Sequence, residues 1–189
     1  MKRTLCFLYD TMADFEVTLT CSMIDGFEGM ELTSIAYDRN LKEGMSRLKY
    51  APDMTVKEAL DLDDVECLII PGGMERVLKD ELKDLIQKLD KEGKLICAIC
   101  AAPEFLAKSG VLENHKYTTT LDEEYFKANK IKDSFPRNNY VEEKVVRDGN
   151  VITAKGKSYV DFTAEIGEAF GAFEDDEDKS AFAKAYKGE

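Results

Sequence analysis

The 189-residue chain sets 26 Lys and Arg against 38 Asp and Glu, a formal charge of −12, in a composition that is 44% hydrophobic and 34% charged. Such a chain is expected to be one globular unit burying roughly 70% of its unfolded surface, with no need of a disulfide or a structural metal. Only three of the net negative charges fall in Ala172–Glu189, so the body itself is acidic and would repel a phosphate backbone, and no basic patch or helix offers a nucleic-acid site.

Taken in chain order, the apolar run Leu5–Tyr9 reads as a buried strand; it is too short for a signal peptide and runs into Asp10 and Asp14. A helix over Phe15–Gly26 follows, with Gly26 as its stop, then a strand over Leu32–Tyr37, a short helix over Thr55–Leu60 and a strand over Cys67–Ile70. Asp80–Glu92 is strongly amphipathic and stops at Gly93. Leu95–Ile99 is the fourth apolar strand, and Ala102–Ser109 is a helix closed by Gly110. Val141–Arg147 and Asn150–Ala154 flank Asp148-Gly149, a strong hairpin signal.

Phe162–Phe170 repeats apolar residues at helical spacing up to Gly171. Five consecutive acids, Glu174–Asp178, then read as a solvated linker, and Asp178–Ala185 as one further surface helix with Phe182 and Tyr186 on one face. The expected organisation is a domain over 1–171 and an acidic extension over 172–189. Alternating strands and helices define an α/β protein with a mostly parallel sheet covered on both faces, the four apolar strands at its centre. No stretch reaches the roughly 20 apolar residues of a membrane span, and five irregularly spaced cysteines read as reduced thiols of a cytoplasmic protein.

His115 is the single histidine, in a polar turn, and this excludes zinc motifs that need two. Leu95–Pro103 is the strongest chemical signal: an apolar strand ends at Cys100 and gives way to Ala101-Ala102-Pro103 and a helix. Small neighbours permit the sharp strand-to-helix turn of a nucleophile elbow, and the helix N-terminus favours thiolate. Cys97 and Cys100 form a Cys-x-x-Cys pattern, but three strand steps span about 10 Å and put the side chains on opposite faces, against a dithiol. Pro71-Gly72-Gly73 ends the Cys67–Ile70 strand, where backbone N–H groups, with that of Ala101, could form an oxyanion hole beside Cys100. Glu16 lies between the first strand and first helix; it gains an acid–base role if the first strand lies beside that of Cys100.

These residues together resemble the ThiJ/PfpI superfamily, in particular its parkinsonism-associated deglycase (DJ-one) branch, through the elbow Ala98–Pro103, the turn Pro71-Gly72-Gly73 and the acid Glu16, with weaker similarity from Thr4 to about Gly171. The resemblance implies a flavodoxin-like three-layer sandwich and a homodimer, with Ser46-Arg47 similar to an interface segment. It further implies Cys100 as an oxidation-sensitive nucleophile, Glu16 as its acid partner, backbone donors at Gly73 and Ala101, and no cofactor or metal. The chain departs from the superfamily at Thr120, which stands where many members place a histidine, and at Ala101, where the proteases of the superfamily do.

Peptidase and amidotransferase chemistry, which need a proton donor for an amine leaving group, are thereby disfavoured. Addition of a thiol to a small carbonyl such as methylglyoxal has no leaving group. The expected function is a glyoxalase III or deglycase type of reaction, with redox sensing or chaperone-like action through oxidation of Cys100 as the alternative.

Overall fold

The computed structural model describes residues 2–189. In chain order the elements are β1 (Lys2–Phe7), α1 (Phe15–Asp25), β2 (Met30–Ala36), β3 (Lys42–Glu43), β4 (Lys49–Tyr50), β5 (Met54–Thr55), α2 (Val56–Ala59), β6 (Val65–Ile70) and α3 (Asp80–Lys91). They continue with β7 (Leu95–Ile99), α4 (Pro103–Lys108), α5 (Glu123–Asn129), β8 (Val145–Asp148), β9 (Val151–Ala154), α6 (Tyr159–Ala169) and α7 (Asp176–Lys187).

Seven strands form one sheet in the order β5-β2-β1-β6-β7-β9-β8, parallel throughout except for β8, which pairs antiparallel with β9. Helices α1 and α6 pack together on one face, and α2, α3 and α4 cover the other, giving the three layers of a flavodoxin-like fold. Strand residues that must face helices on both sides have to be apolar at every position. Cys67–Ile70, Ile96–Ile99 and Val151–Ile152 accordingly have no exposed surface. On α3, Leu82, Leu85, Ile86 and Leu89 recur at the spacing of one helix face, and each is buried; each such side chain contributes about 1.5–3 kcal/mol.

Two expectations are corrected. β2 is less central than expected: it lies next to the two-residue edge strand β5, and four of its seven residues are partly exposed. Gly26 stops α1 as expected, as its C-cap residue with φ of −77°, and the chain turns left-handed at Gly29. The acidic run is no linker. Asp175 caps α7 by accepting from the N–H groups of Glu177 and Asp178, so the acids supply the cap and first turn where the helix dipole favours them.

Helix α7 lies on α6, where Lys179 bridges Glu165 and Glu168, and Phe182 and Tyr186 meet at 4.7 Å between ring centroids. Helix α5 escaped the sequence reading because Phe126 is its only buried residue, too little to create a period; its one signal is Asp122, which accepts from the Tyr125 N–H.

β1 runs outward to β2 on one side while β6 sits on its other side, so the connection reverses direction between β1 and β6. Open α/β sheets form a crevice at the carboxyl ends of strands flanking such a point. Beyond the carboxyl ends of β1, β6 and β7 come Glu16, in the first turn of α1, Gly72-Gly73 and Cys100.

Candidate active site

The backbone at Cys100 has φ of +63°, a left-handed conformation that costs a residue with a Cβ of order 1–3 kcal/mol. It is held there from three directions: its N–H donates to the Ala154 carbonyl at 2.8 Å, and its own carbonyl accepts from the Thr120 N–H at 2.9 Å and the Thr119 hydroxyl at 2.8 Å. Pro103 starts α4 immediately afterwards. The strand-to-helix turn thus lifts the half-buried Cys100 side chain off the end of β7, with the Ala101 N–H and the Thr120 hydroxyl nearby.

Glu16 is buried, with 2% of its surface exposed, and its carboxyl lies beside Cys100. One of its oxygens, Oε2, accepts from the Gly72 N–H at 2.9 Å. The reason it reaches the cysteine differs from the one anticipated. β1 is not beside β7; β6 lies between them, and Glu16 crosses the end of β6 over Gly72. Only glycine allows this, because a Cβ at Gly72 would stand 2.6 Å from Glu16 Oε2 and 2.7 Å from Cys100 Cβ.

A second glycine, Gly156, does the same on the far side: a Cβ there would lie 2.8 Å from Cys100 Sγ and 2.9 Å from Glu16 Oε1. Its N–H donates to the Thr120 hydroxyl at 3.0 Å. The sequence reading missed Gly156, whose one signal is its place after β9, at the same edge of the sheet as the other two turns.

Gly73 occupies the strained bend beyond Gly72, with φ of +152°. Room for a Cβ there is closed by the Thr11 carbonyl at 2.5 Å, Met12 Cα at 2.7 Å and the Tyr9 hydroxyl at 2.7 Å. Met12 and Gly73 form an antiparallel bridge flanked by Ala13 N–H to Gly72 carbonyl at 2.8 Å and Met74 N–H to Thr11 carbonyl at 3.2 Å. In that pattern the bridging residue's own N–H lies outside the ladder.

Electrostatically, the anticipated thiolate is not favoured. Burial, and next the nearby Glu16 charge, push the Cys100 thiol up to about 11, against the Thr120 hydroxyl and the Ala101 N–H, which pull it down. Burial likewise raises the Glu16 carboxyl, against the neutral Cys100 thiol and the Gly72 N–H, which pull it down. The thiol thus favours the Glu16 carboxylate while the carboxylate charge holds the thiol protonated, so the two behave as a coupled pair.

The remaining candidates are elsewhere. His115 sits at the opposite, amino-terminal end of the sheet, its Nδ1 3.0 Å from the Asp148 carbonyl and its Nε2 3.3 Å from Asp90. Cys97 points away from Cys100 and lies with its sulfur 3.9 Å from that of Cys67 on β6. Arg47 is exposed in a left-handed turn, while Ser46 hydrogen-bonds Asp14 through its N–H and its hydroxyl. Among the described residues no three His, Cys, Asp or Glu side chains converge as metal ligands, and no helix is long and apolar enough to cross a membrane.

The doubly wound α/β sheet defines a flavodoxin-like protein, and the left-handed cysteine and buried carboxyl at the carboxyl ends of its strands are its candidate site. The family model described as the DJ-1/PfpI family matches residues 2–169, and the chain belongs to that family, on its DJ-1 branch. It is 28% identical over 175 residues to Protein DJ-1alpha of Drosophila melanogaster, covering 88% of this chain and 76% of that one. It is 27% identical over 133 residues to Deglycase PfpI of Pyrococcus furiosus, covering 68% and 75%. The crystal structure of DJ-1 superfamily protein Atu0886 from Agrobacterium tumefaciens superposes with a TM-score of 0.81 at 29% identity, over 96% of both chains.

Proposed function

We propose that this protein is a cysteine-dependent enzyme of the glyoxalase III or deglycase type, acting as a homodimer in the cytoplasm on methylglyoxal or related small carbonyls. The observation that carries the reading is the contact of Cys100 with the buried Glu16 between two glycines. A carboxyl raised by burial is a stronger base than an exposed one, and this supports proton transfer at neutral pH by the residue beside the thiol. Homologues named deglycase agree with carbonyl chemistry. The exposed apolar side chains of Phe15, Met45 and Leu48 favour self-association.

In this reading Cys100 sulfur attacks the aldehyde carbon as Glu16 takes the thiol proton, and the N–H groups of Gly73 and Ala101 hold the oxyanion. The oxygen regains a proton to complete the hemithioacetal. Glu16 then removes the hydrogen from that carbon, giving an enediol, and a proton returns to the neighbouring carbon. The first carbon is oxidised and the second reduced, leaving a lactoyl thioester without external oxidant. Water hydrolyses the thioester to lactate and frees the thiol.

The test is lactate formation from methylglyoxal in glutathione-free buffer by wild type, Cys100→Ser and Glu16→Gln. Turnover in the wild type that both substitutions abolish supports the assignment; no turnover in the wild type overturns it. A second reading is favoured by one observation: Thr120, not histidine, lies beside the sulfur. It makes Cys100 a peroxide sensor, oxidised to a sulfinic acid held by Glu16 and the Ala101 N–H. Gain of two oxygens at Cys100 alone under mild peroxide distinguishes it from oxidation scattered over five cysteines.

A further inference from the structure

Behind the Gly72-Gly73 turn lies an ion pair that the chemistry above does not use. Arg76 Nε donates to Glu104 Oε2 at 2.8 Å, and the two side chains retain 8% and 6% of their surface. The same guanidinium donates through Nη1 to the Gly73 carbonyl and, at 3.3 Å, to that of Met74, while Nη2 reaches the Tyr125 hydroxyl at 3.3 Å. Glu104 belongs to the first turn of α4, directly after Pro103, and its other oxygen accepts from Lys108 at 2.8 Å.

Burying two charges is costly in free energy, and a well-packed apolar pair of similar volume usually serves stability equally well or better. Stability alone therefore gives no reason for an arginine and a glutamate here. Their geometry does: one end of the fork grips the carbonyls of the turn after β6, and the other grips the helix that begins at the elbow after β7. On its opposite side the turn is fixed to the β1 loop by backbone bonds and by the Tyr9 hydroxyl donating to the Pro71 carbonyl at 2.9 Å. The side facing Cys100 lacks such a ladder, and Arg76–Glu104 supplies the tie.

We infer that Arg76 and Glu104 are positioning residues that set the separation between the Gly73 and Ala101 N–H groups. This rests on the carbonyl reading of the site and deepens it, naming what holds the two oxyanion donors in place. Arginine is required because its planar fork serves a carboxylate and a carbonyl at once, and a lysine ammonium at that point cannot reach both.

Replacing both residues, Arg76→Leu with Glu104→Leu, removes the tie without leaving a buried unpaired charge, since Lys108, which loses its carboxylate partner, is exposed. The expected result is a folded protein whose thermal transition is unchanged or higher and whose kcat falls about 10- to 100-fold, the effect of about 1 Å of misplacement, with KM altered by less than about threefold. Arg76→Lys shares most of that loss. Glu104→Gln, whose amide oxygen still accepts from Arg76, retains activity within about threefold, and these single variants decide the matter if the double variant does not fold. Full kcat in the double variant or in Arg76→Lys overturns the inference.

A readout independent of turnover separates this from the functional assignment: the 15N–1H resonances of Gly73 and Ala101. Both move in Arg76→Lys and stay near their wild-type positions in Glu104→Gln. If the wild type does not turn over methylglyoxal yet these signals move, the activity is wrong and the positioning stands. Unmoved signals overturn the positioning whatever the activity.

Discussion

Cys97 and Cys100 are three residues apart, and the contrast between them shows what turns a thiol into a site. Cys97 sits inside β7 with regular strand geometry, no exposed surface and another cysteine sulfur for a neighbour. Cys100 is one step past the strand, left-handed, half-buried and set against a carboxyl. The residue type is the same; the difference comes from the end of the strand and from Gly72 and Gly156, whose missing Cβ atoms let Glu16 and the sulfur meet.

The comparison is sharpest in activity. Cys100→Ser is expected to lower methylglyoxal turnover by about 10³-fold or more, since a hydroxyl at neutral pH is a far weaker nucleophile than a thiol. Next in size is Gly156→Ala: its methyl group would enter the space of Cys100 Sγ and Glu16 Oε1. We expect a loss of about 10²-fold in kcat/KM together with about 1–3 kcal/mol of stability, read by steady-state kinetics and urea unfolding.

Glu16→Gln is expected to lower kcat by about 10- to 100-fold while raising Tm by a few degrees at pH 7. The sign follows from burial. The folded protein holds the Glu16 proton to higher pH than the unfolded chain does, so stability is full below the ordinary carboxylate range and declines as pH rises through the raised folded value. The Tm advantage of the variant therefore shrinks toward pH 4. By the same rule the Cys100 contribution declines from about pH 9 to about 11, so wild type loses stability relative to Cys100→Ser across that window.

The smallest activity effect belongs to the other cysteine. Cys97→Ala leaves kcat within about twofold and costs about 1–2 kcal/mol of stability from the cavity it opens beside Cys67. A large loss of turnover there would break the distinction between the two thiols.

Much of this was legible in the chain because strand ends leave local marks. An apolar run stopping at Cys100 and restarting as Ala101-Ala102-Pro103 has few conformations open to it, and the amphipathic period of α3 is fixed by side-chain spacing alone. What stayed hidden depended on contacts between distant segments. Gly156 is one glycine among 12 until β9 brings it to Cys100. The route of Glu16 over Gly72 required the strand order, which no local pattern encodes.

The sequence also favoured a thiolate on the strength of the α4 N-terminus. The Ala101 N–H does act in that direction, but burial and the Glu16 charge outweigh it. Likewise no sequence pattern links Arg76 to Glu104; only their burial and shared contact bring them together.

That Cys100 and Glu16 act as a coupled pair is the central claim, and it is tested most directly by the pH dependence of iodoacetamide alkylation at the Cys100 peptide, followed by mass spectrometry in wild type and Glu16→Gln. We expect a wild-type midpoint near 11, falling toward the ordinary cysteine range once the carboxyl charge is removed. Coincident curves for the two proteins, or a wild-type thiol titrating as an unperturbed cysteine, would contradict it.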